Sequence, residues 1–183
     1  SWKILLNEYK EGNISVGCFS ARVFAMIKAD KQTLLKFVKN KVKIRAGFQQ
    51  LINYCHKKNF KFVIVSNGLD LYIEAILAHL GINDIDIMAA KTRFTDQGID
   101  ARYIGPDGKQ MDDGFKEAYS RLFLKKGYRL IYVGDGHSDI SAAQLAHHVF
   151  ASEELLDYCK KAQLSYTPFK TLNDVTRGLE RFS

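Results

Sequence analysis

With 183 residues, 46% hydrophobic, 12% aromatic and 26% charged, the chain can bury one core with a small appendage, and its composition excludes disorder. No apolar run approaches a membrane span and no signal peptide is visible, so neither a membrane nor export is expected. The net charge of +7 favours anionic ligands, but the lysines are scattered and lack interleaved aromatics, which argues against nucleic acid as the partner.

Residues 1 to 40 read as helices. Trp2, Leu5, Leu6 and Tyr9 form a helical stripe. Asn13 or Ser15 could cap a second segment carrying Val16, Phe19, Val23, Phe24 and Ile27, and Asp30 a third carrying Leu34, Leu35 and Val38. After Ala46-Gly47 the pattern alternates. A helix around Phe48 to Cys55 precedes a strand from Phe60 to Val65, then a helix from Leu69 to Leu80 closed by Gly81. Ile85 to Met88 is a candidate strand, and residues 92 to 104, broken at Gln97-Gly98, a candidate hairpin. A turn at Pro106-Asp107-Gly108 leads to a helix from Asp112 to about Lys126. A strand from Leu130 to Val133, a helix from Ser138 to His147, a strand from Val149 to Ala151 and helices at 153 to 163 and 172 to 181 complete the chain. Apolar strands alternating with helices imply an α/β fold, a Rossmann-like parallel sheet with helices on both faces. Cys18, Cys55 and Cys159 form no C-x-x-C pair, which suggests reduced thiols in a cytoplasmic protein.

Three fragments fall where such sheets place ligands, beyond the carboxyl ends of strands. Ser66-Asn67-Gly68 lies between strand and helix, and its hydroxyl and backbone N–H groups could form an anion pocket at a helix N-terminus, or simply cap the helix. Lys116 near a helix start opposes the helix dipole; facing a phosphate would explain it, although a solvated lysine is the plainer reading. In "LIYVGDGHSDISAA" an apolar run ends at Gly134-Asp135-Gly136, with Asp139 following. The glycines would let the backbone turn, Asp135 would project as a hard oxygen ligand suited to Mg²⁺, and Asp139 could meet a water or Lys116 or act as a helix N-terminal acid. His137 in this loop is expected near the substrate entrance rather than on the metal, which prefers oxygen.

"VSNG", then the lysine of "GFKEA", then "YVGDGHSDI", in that order, resemble motifs two, three and four of the haloacid-dehalogenase-like phosphatases. The resemblance is to the phosphoserine-phosphatase-like subgroup, which includes the methionine-salvage ketopentene-phosphate phosphatases. It covers the chain from about residue 44 and, more loosely, residues 1 to 43, which correspond to a helical cap. It implies domains at 1–43 (cap) and 44–183 (core). It also implies a Mg²⁺-dependent phosphomonoesterase that acts on a small phosphorylated metabolite through an aspartyl-phosphate. Under it Ser66, with Asn67 and Gly68, and Lys116 bind phosphate, Asp135 binds Mg²⁺, and Asp139 is a supporting acid beside the catalytic Ser66 and Lys116.

One departure stands out. The subgroup's first motif, Asp-x-Asp-Gly-Thr, which supplies the nucleophile, is absent; the only Asp-x-Asp, Asp84-Ile85-Asp86, precedes a strand and would lie at the wrong end of the sheet. The chain opens Ser-Trp without a Met, and is expected to begin inside the cap, after that motif. The strand it would ride on is then missing too, leaving the strands that carry Ser66 and Asp135 with unpaired backbone groups and a gap between them. The alternatives are a non-catalytic phosphate-binding or regulatory protein on the same scaffold, a receiver-like domain, which the helical leader argues against, and a polyanion-binding protein, which salt-dependent DNA binding would test.

Overall fold

Short polar residues ahead of apolar stripes start the first helices. In the computed structural model, which describes residues 1–182, helix α1 spans Trp2–Lys10, α2 Val16–Ala25 and α3 Lys31–Lys41. Ser15 Oγ accepts from Cys18 N at 3.1 Å and Asp30 Oδ1 from Thr33 N at 2.7 Å, each satisfying a donor that the first helical turn leaves open. Helix α4 (Phe48–Lys57) is followed along the chain by strand β1 (Val63–Leu69) and helix α5 (Asp70–His79). Strands β2 (Asp86–Thr95) and β3 (Gly98–Arg102) precede α6 (Phe115–Lys125). Then come β4 (Ile131–Gly134), a short 3-10 turn His137–Asp139, α7 (Ile140–Ala143), β5 (His148–Ala151), α8 (Glu153–Ala162), β6 (Tyr166–Pro168) and α9 (Leu172–Leu179).

Several boundaries depart from the sequence reading. Strand β1 begins at Val63, not Phe60, because Phe60 and Phe62 pack against the cluster of Leu51, Cys55, Phe150, Phe169, Val175 and Leu179. The expected strand at 85–88 and the first arm of the hairpin are one continuous strand, β2, which pairs parallel with β1 and antiparallel with β3. The helix expected to reach His147 stops at Ala143. The chain turns back so that His148 can enter β5 opposite Ile131, with its imidazole between Ser165 Oγ at 2.8 Å and Thr167 Oγ1 at 2.9 Å. Strand β6 was not anticipated; three residues ending in a proline carry too little pattern to read.

The strands form two three-stranded sheets, β1-β2-β3 and the all-parallel β4-β5-β6. The fold is α/β with Rossmann-like parallel pairing, as the alternation of strands and helices implies. β1 is an edge of its sheet and β4 an edge of the other. Apolar Val133 on β4 is 38% exposed. The chain divides correspondingly into two units, Ser1–Val42 with Val63–Phe115, and Lys43–Phe62 with Lys116–Ser183. In the first unit, α2 packs on β3 and Leu69, Ala90, Ile99 and Tyr103 are buried. In the second, α4 lies against α9 around Leu51 and Val175, and Val149, Ala151, Leu155 and Cys159 form a further buried cluster.

Candidate active site

In the first unit, β1 carries Ser66-Asn67-Gly68 at its carboxyl end. Val65 pairs with Met88 and Leu69 with Ala90, so three residues of β1 stand opposite Ala89 alone, a bulge that re-aims side chains at the end of a strand. Ser66 to Gly68 thus belong to the strand and do not cap α5. The residue before α5 is Leu69, which makes no side-chain cap bond, and the acid of the first turn, Asp70, accepts from Leu71 N, Thr92 N and Thr92 Oγ1 at 2.7–3.1 Å and pairs with Lys91 at 3.2 Å.

Within the bulge, Ser66 Oγ accepts from Gly68 N at 3.0 Å, which leaves its proton free to donate elsewhere. The Asn67 carbonyl accepts from the Tyr103 hydroxyl at 2.5 Å, and burial pushes that phenol up to about 12, so it stays a donor. The Asn67 side-chain oxygen and nitrogen are both buried and without a partner among the described residues. An unpaired buried amide costs about 1–3 kcal/mol. Gly68 has no room for a side chain, since a Cβ there would lie 1.8 Å from the Tyr72 hydroxyl.

In the second unit, three of the expected residues gather at the carboxyl end of β4. Asp139, 4% exposed, is held by four donors. Its Oδ1 accepts from Lys116 Nζ at 2.6 Å and the Tyr132 hydroxyl at 2.7 Å; its Oδ2 accepts from Gly136 N at 2.9 Å and Asp135 N at 3.1 Å. Burial would raise this carboxyl, but the Lys116 ammonium first, then the Gly136 amide and the Tyr132 hydroxyl, hold it below the usual carboxylate range. Burial, reinforced by the Asp139 charge, pushes the Tyr132 phenol up, so it remains protonated as a donor. Lys116 also donates to Ser138 Oγ at 3.2 Å. Asp139 therefore locks the loop to β4 and aims the lysine.

The glycines act differently from expectation. Gly134 and Gly136 do not adopt the left-handed backbone that only glycine tolerates well. At Gly134 the need is for space: a Cβ would lie 2.7 Å from the Asp139 carboxyl carbon and 2.9 Å from the Tyr132 ring. Tyr132 and Gly134 thus frame the carboxylate from one strand.

Asp135, half exposed, accepts from Arg45 Nη2 at 3.1 Å through Oδ2; its Oδ1 has no partner among the described residues. Arg45 also donates to Ser152 Oγ at 3.2 Å, stands 4.0 Å from Glu153 and lies over the Phe169 ring at 4.9 Å. Sequence reasoning missed Arg45 and Tyr132. Arg45 was one cation in a basic stretch, and Tyr132 one more large residue in an apolar strand. The Asp84-Ile85-Asp86 segment leads into the amino end of β2, where Asp86 pairs with Val63, the end of the sheet away from the ligand-binding strand ends. Lys116, Asp135 and Asp139 are thus brought together in one unit, while Ser66, Asn67 and Gly68 belong to the other.

The haloacid dehalogenase-like hydrolase family matches residues 15–144. The 2-hydroxy-3-keto-5-methylthiopentenyl-1-phosphate phosphatase of Brevibacillus brevis is 26% identical over 98% of this chain and 83% of its own length. The protein of the same name from Bacillus cytotoxicus is 28% identical over 80% and 68%. A phosphoserine phosphatase solved as a phospho-aspartyl intermediate analogue has the same fold, with TM-score 0.68 and 19% identity over 96% of this chain and 83% of the other. The phosphoserine phosphatase of T. onnurineus has TM-score 0.67 at 18% identity over 97% and 79%.

Proposed function

The chain belongs to the haloacid dehalogenase-like hydrolases, and we propose that it works as a Mg²⁺-dependent phosphomonoesterase on a small phosphorylated metabolite, through an aspartyl-phosphate. The observation that carries this reading is the Lys116–Asp139 pair beside Asp135 at the end of β4. A lysine so held presents a fixed positive charge, which stabilises charge developing on a transferring phosphoryl group.

The donors suit Mg²⁺. Asp135 offers one free carboxylate oxygen, and among the described residues no group of three or more His, Cys, Asp and Glu forms an all-protein cage. Mg²⁺ keeps several waters and is bound by one or two carboxylates together with substrate phosphate. Bound there, it would neutralise phosphate charge and orient the ester. Lys116 would hold a second phosphate oxygen. The Ser66 hydroxyl and the unpaired Asn67 amide, with the Gly68 backbone, would hold the rest, and residues 1–43 would serve as the cap. That Ser66 and Lys116 grip one phosphate is part of this proposal.

The attacking carboxylate is not identified among residues 1–183. Asp84-Ile85-Asp86 leads into the amino end of β2, Asp139 is saturated by donors, and Asp135 would lose the metal by attacking. We place the nucleophile on an Asp-x-Asp strand outside these residues, which would find unpaired edges on β1 and β4.

One assay tests this: hydrolysis of p-nitrophenyl phosphate with Mg²⁺, against EDTA, by residues 1–183 and by a chain carrying an Asp-x-Asp strand ahead of Ser1. The longer chain should turn over and the shorter should not. The salvage phosphate named for the relatives is the first natural substrate to try. Comparable activity in the shorter chain would show that the nucleophile lies within it. Inactivity in the longer one, with phosphate still bound, would favour a non-catalytic phosphate-binding protein.

A further inference from the structure

Arg45 touches neither Lys116 nor any group assigned to phosphate. It sits on the carboxylate assigned to the metal, and its own position is fixed by three other neighbours: Ser152, Glu153 and the face of Phe169. A guanidinium stacked on a ring and hydrogen-bonded on its other edge has little reason to leave when a cation arrives. So held, it would stay on Asp135 Oδ2 when a metal binds.

We propose that Arg45 sets cation selectivity by occupying Oδ2 of Asp135 and leaving only Oδ1 for the ion. The inference rests on the reading that Asp135 is the metal's ligand. Divalent cations differ in what they ask of a carboxylate. Ca²⁺ takes six to eight oxygens at longer distances and readily uses a carboxylate through both of its oxygens. Mg²⁺ holds to a tight octahedron and needs one oxygen per carboxylate. Denying Oδ2 removes the two-oxygen mode that Ca²⁺ exploits and costs Mg²⁺ nothing in coordination. The positive charge of Arg45 weakens both ions alike, because both carry the same charge at similar distance. The ratio of their affinities therefore isolates the geometric effect from the electrostatic one.

Arg45 is thus a positioning residue that acts through Asp135. Its test is calorimetric titration of Mg²⁺ and Ca²⁺ into the chain carrying an Asp-x-Asp strand ahead of Ser1 and into its Arg45→Gln, Arg45→Met and Arg45→Lys variants, with melting temperatures as a fold check. Arg45→Met keeps an alkyl stem over Phe169. In Arg45→Gln and Arg45→Met, Ca²⁺ should bind about tenfold or more tighter and Mg²⁺ only a few-fold tighter, moving the ratio toward Ca²⁺ by about a factor of five. Arg45→Lys returns the charge without the fork that spans Ser152 and Asp135 Oδ2, so it should bring both affinities back down while leaving the ratio shifted toward Ca²⁺. A ratio that stays constant in variants that fold overturns the proposal, whether both affinities rise together or neither changes. Asp135→Asn separates the two readings. If it binds Mg²⁺ as the wild type does, the assignment of Asp135 to the metal fails. If it abolishes binding while the Arg45 variants leave the ratio alone, only the role of Arg45 fails.

Discussion

Replacing Lys116 with Met removes the ammonium from Asp139 and keeps most of the side-chain volume. The two groups lie 2.6 Å apart, with side chains 15% and 6% exposed. At an effective dielectric of about 20, unit charges at that distance attract by roughly 6 kcal/mol, and the lost solvation of both offsets much of this. Tyr132, Asp135 N and Gly136 N remain on the carboxylate after the change. The loss should therefore fall at the lower end for a broken buried pair, about 3 kcal/mol, or roughly 6–12 °C in melting temperature for a chain of this size. The effect has a pH signature. In the wild type the Asp139 carboxyl is held below its ordinary value of 3.8. A depressed carboxyl contributes stability that is present above the unfolded value and lost as pH falls through the folded one. In the variant burial is no longer opposed by the ammonium, so the carboxyl takes up its proton at higher pH, and the neutral form costs less to bury. The gap between the two proteins should be widest near neutrality and should close as pH falls toward the unfolded value. Urea melts of wild type, Lys116→Met, Asp139→Asn and the double variant, at about pH 7 and about pH 4, measure this. The double variant should be more stable than the sum of the single losses. A loss below about 1 kcal/mol, or one that is equal at both pH values, would refute the claim that the pair is a buried, charged anchor.

Gly134→Ala places a carbon 2.7 Å from the Asp139 carboxyl carbon and should cost about 1–3 kcal/mol in a denaturant melt, since neither β4 nor the four-donor carboxylate can yield. Gly68→Ala meets the Tyr72 hydroxyl at 1.8 Å. It should lower phosphate affinity by displacing the bulge, and adding Tyr72→Phe should restore part of it in the same titration. Burial first, then the neighbouring charges of Arg181 and His147, holds His148 below its ordinary 6.5. Its stabilising contribution is therefore present above about 6.5 and lost as pH falls, and His148→Gln should flatten stability between about pH 7 and about pH 5 in thermal melts.

Much of this could be read from the residues. Ser15 and Asp30 cap the helices they precede, because short polar side chains before an apolar stripe have few other uses. The Lys116–Asp139 contact spans residues 23 apart and is one of the three roles that the sequence leaves open for Asp139, beside a water and a helix N-terminal acid. Where the reading went astray, a side chain served an element other than its own. Phe60 and Phe62 look like strand residues but pack against Leu51 and Cys55. Asp70 satisfies the start of α5 and Thr92 of β2 together, which freed Ser66 from the capping role that its place in the chain suggested. Arg45 gains meaning only through Asp135 and Ser152, ninety or more positions away, and no local pattern encodes such a contact.

The order in which the ribosome releases these segments has its own cost. Helix α4 emerges early, but its apolar face is covered by Val175 and Leu179 of α9, which follows after more than a hundred residues. At about 5–20 residues per second that wait is roughly 5 to 20 s, long compared with the microseconds in which a helix forms. During it, Leu51 and Cys55 lack the cover of Val175 and Leu179, and the second unit stays open because residues 63–115 of the first separate its two segments. The nascent polypeptide is therefore a client for holdase chaperones, and slowing synthesis should lower soluble yield rather than raise it.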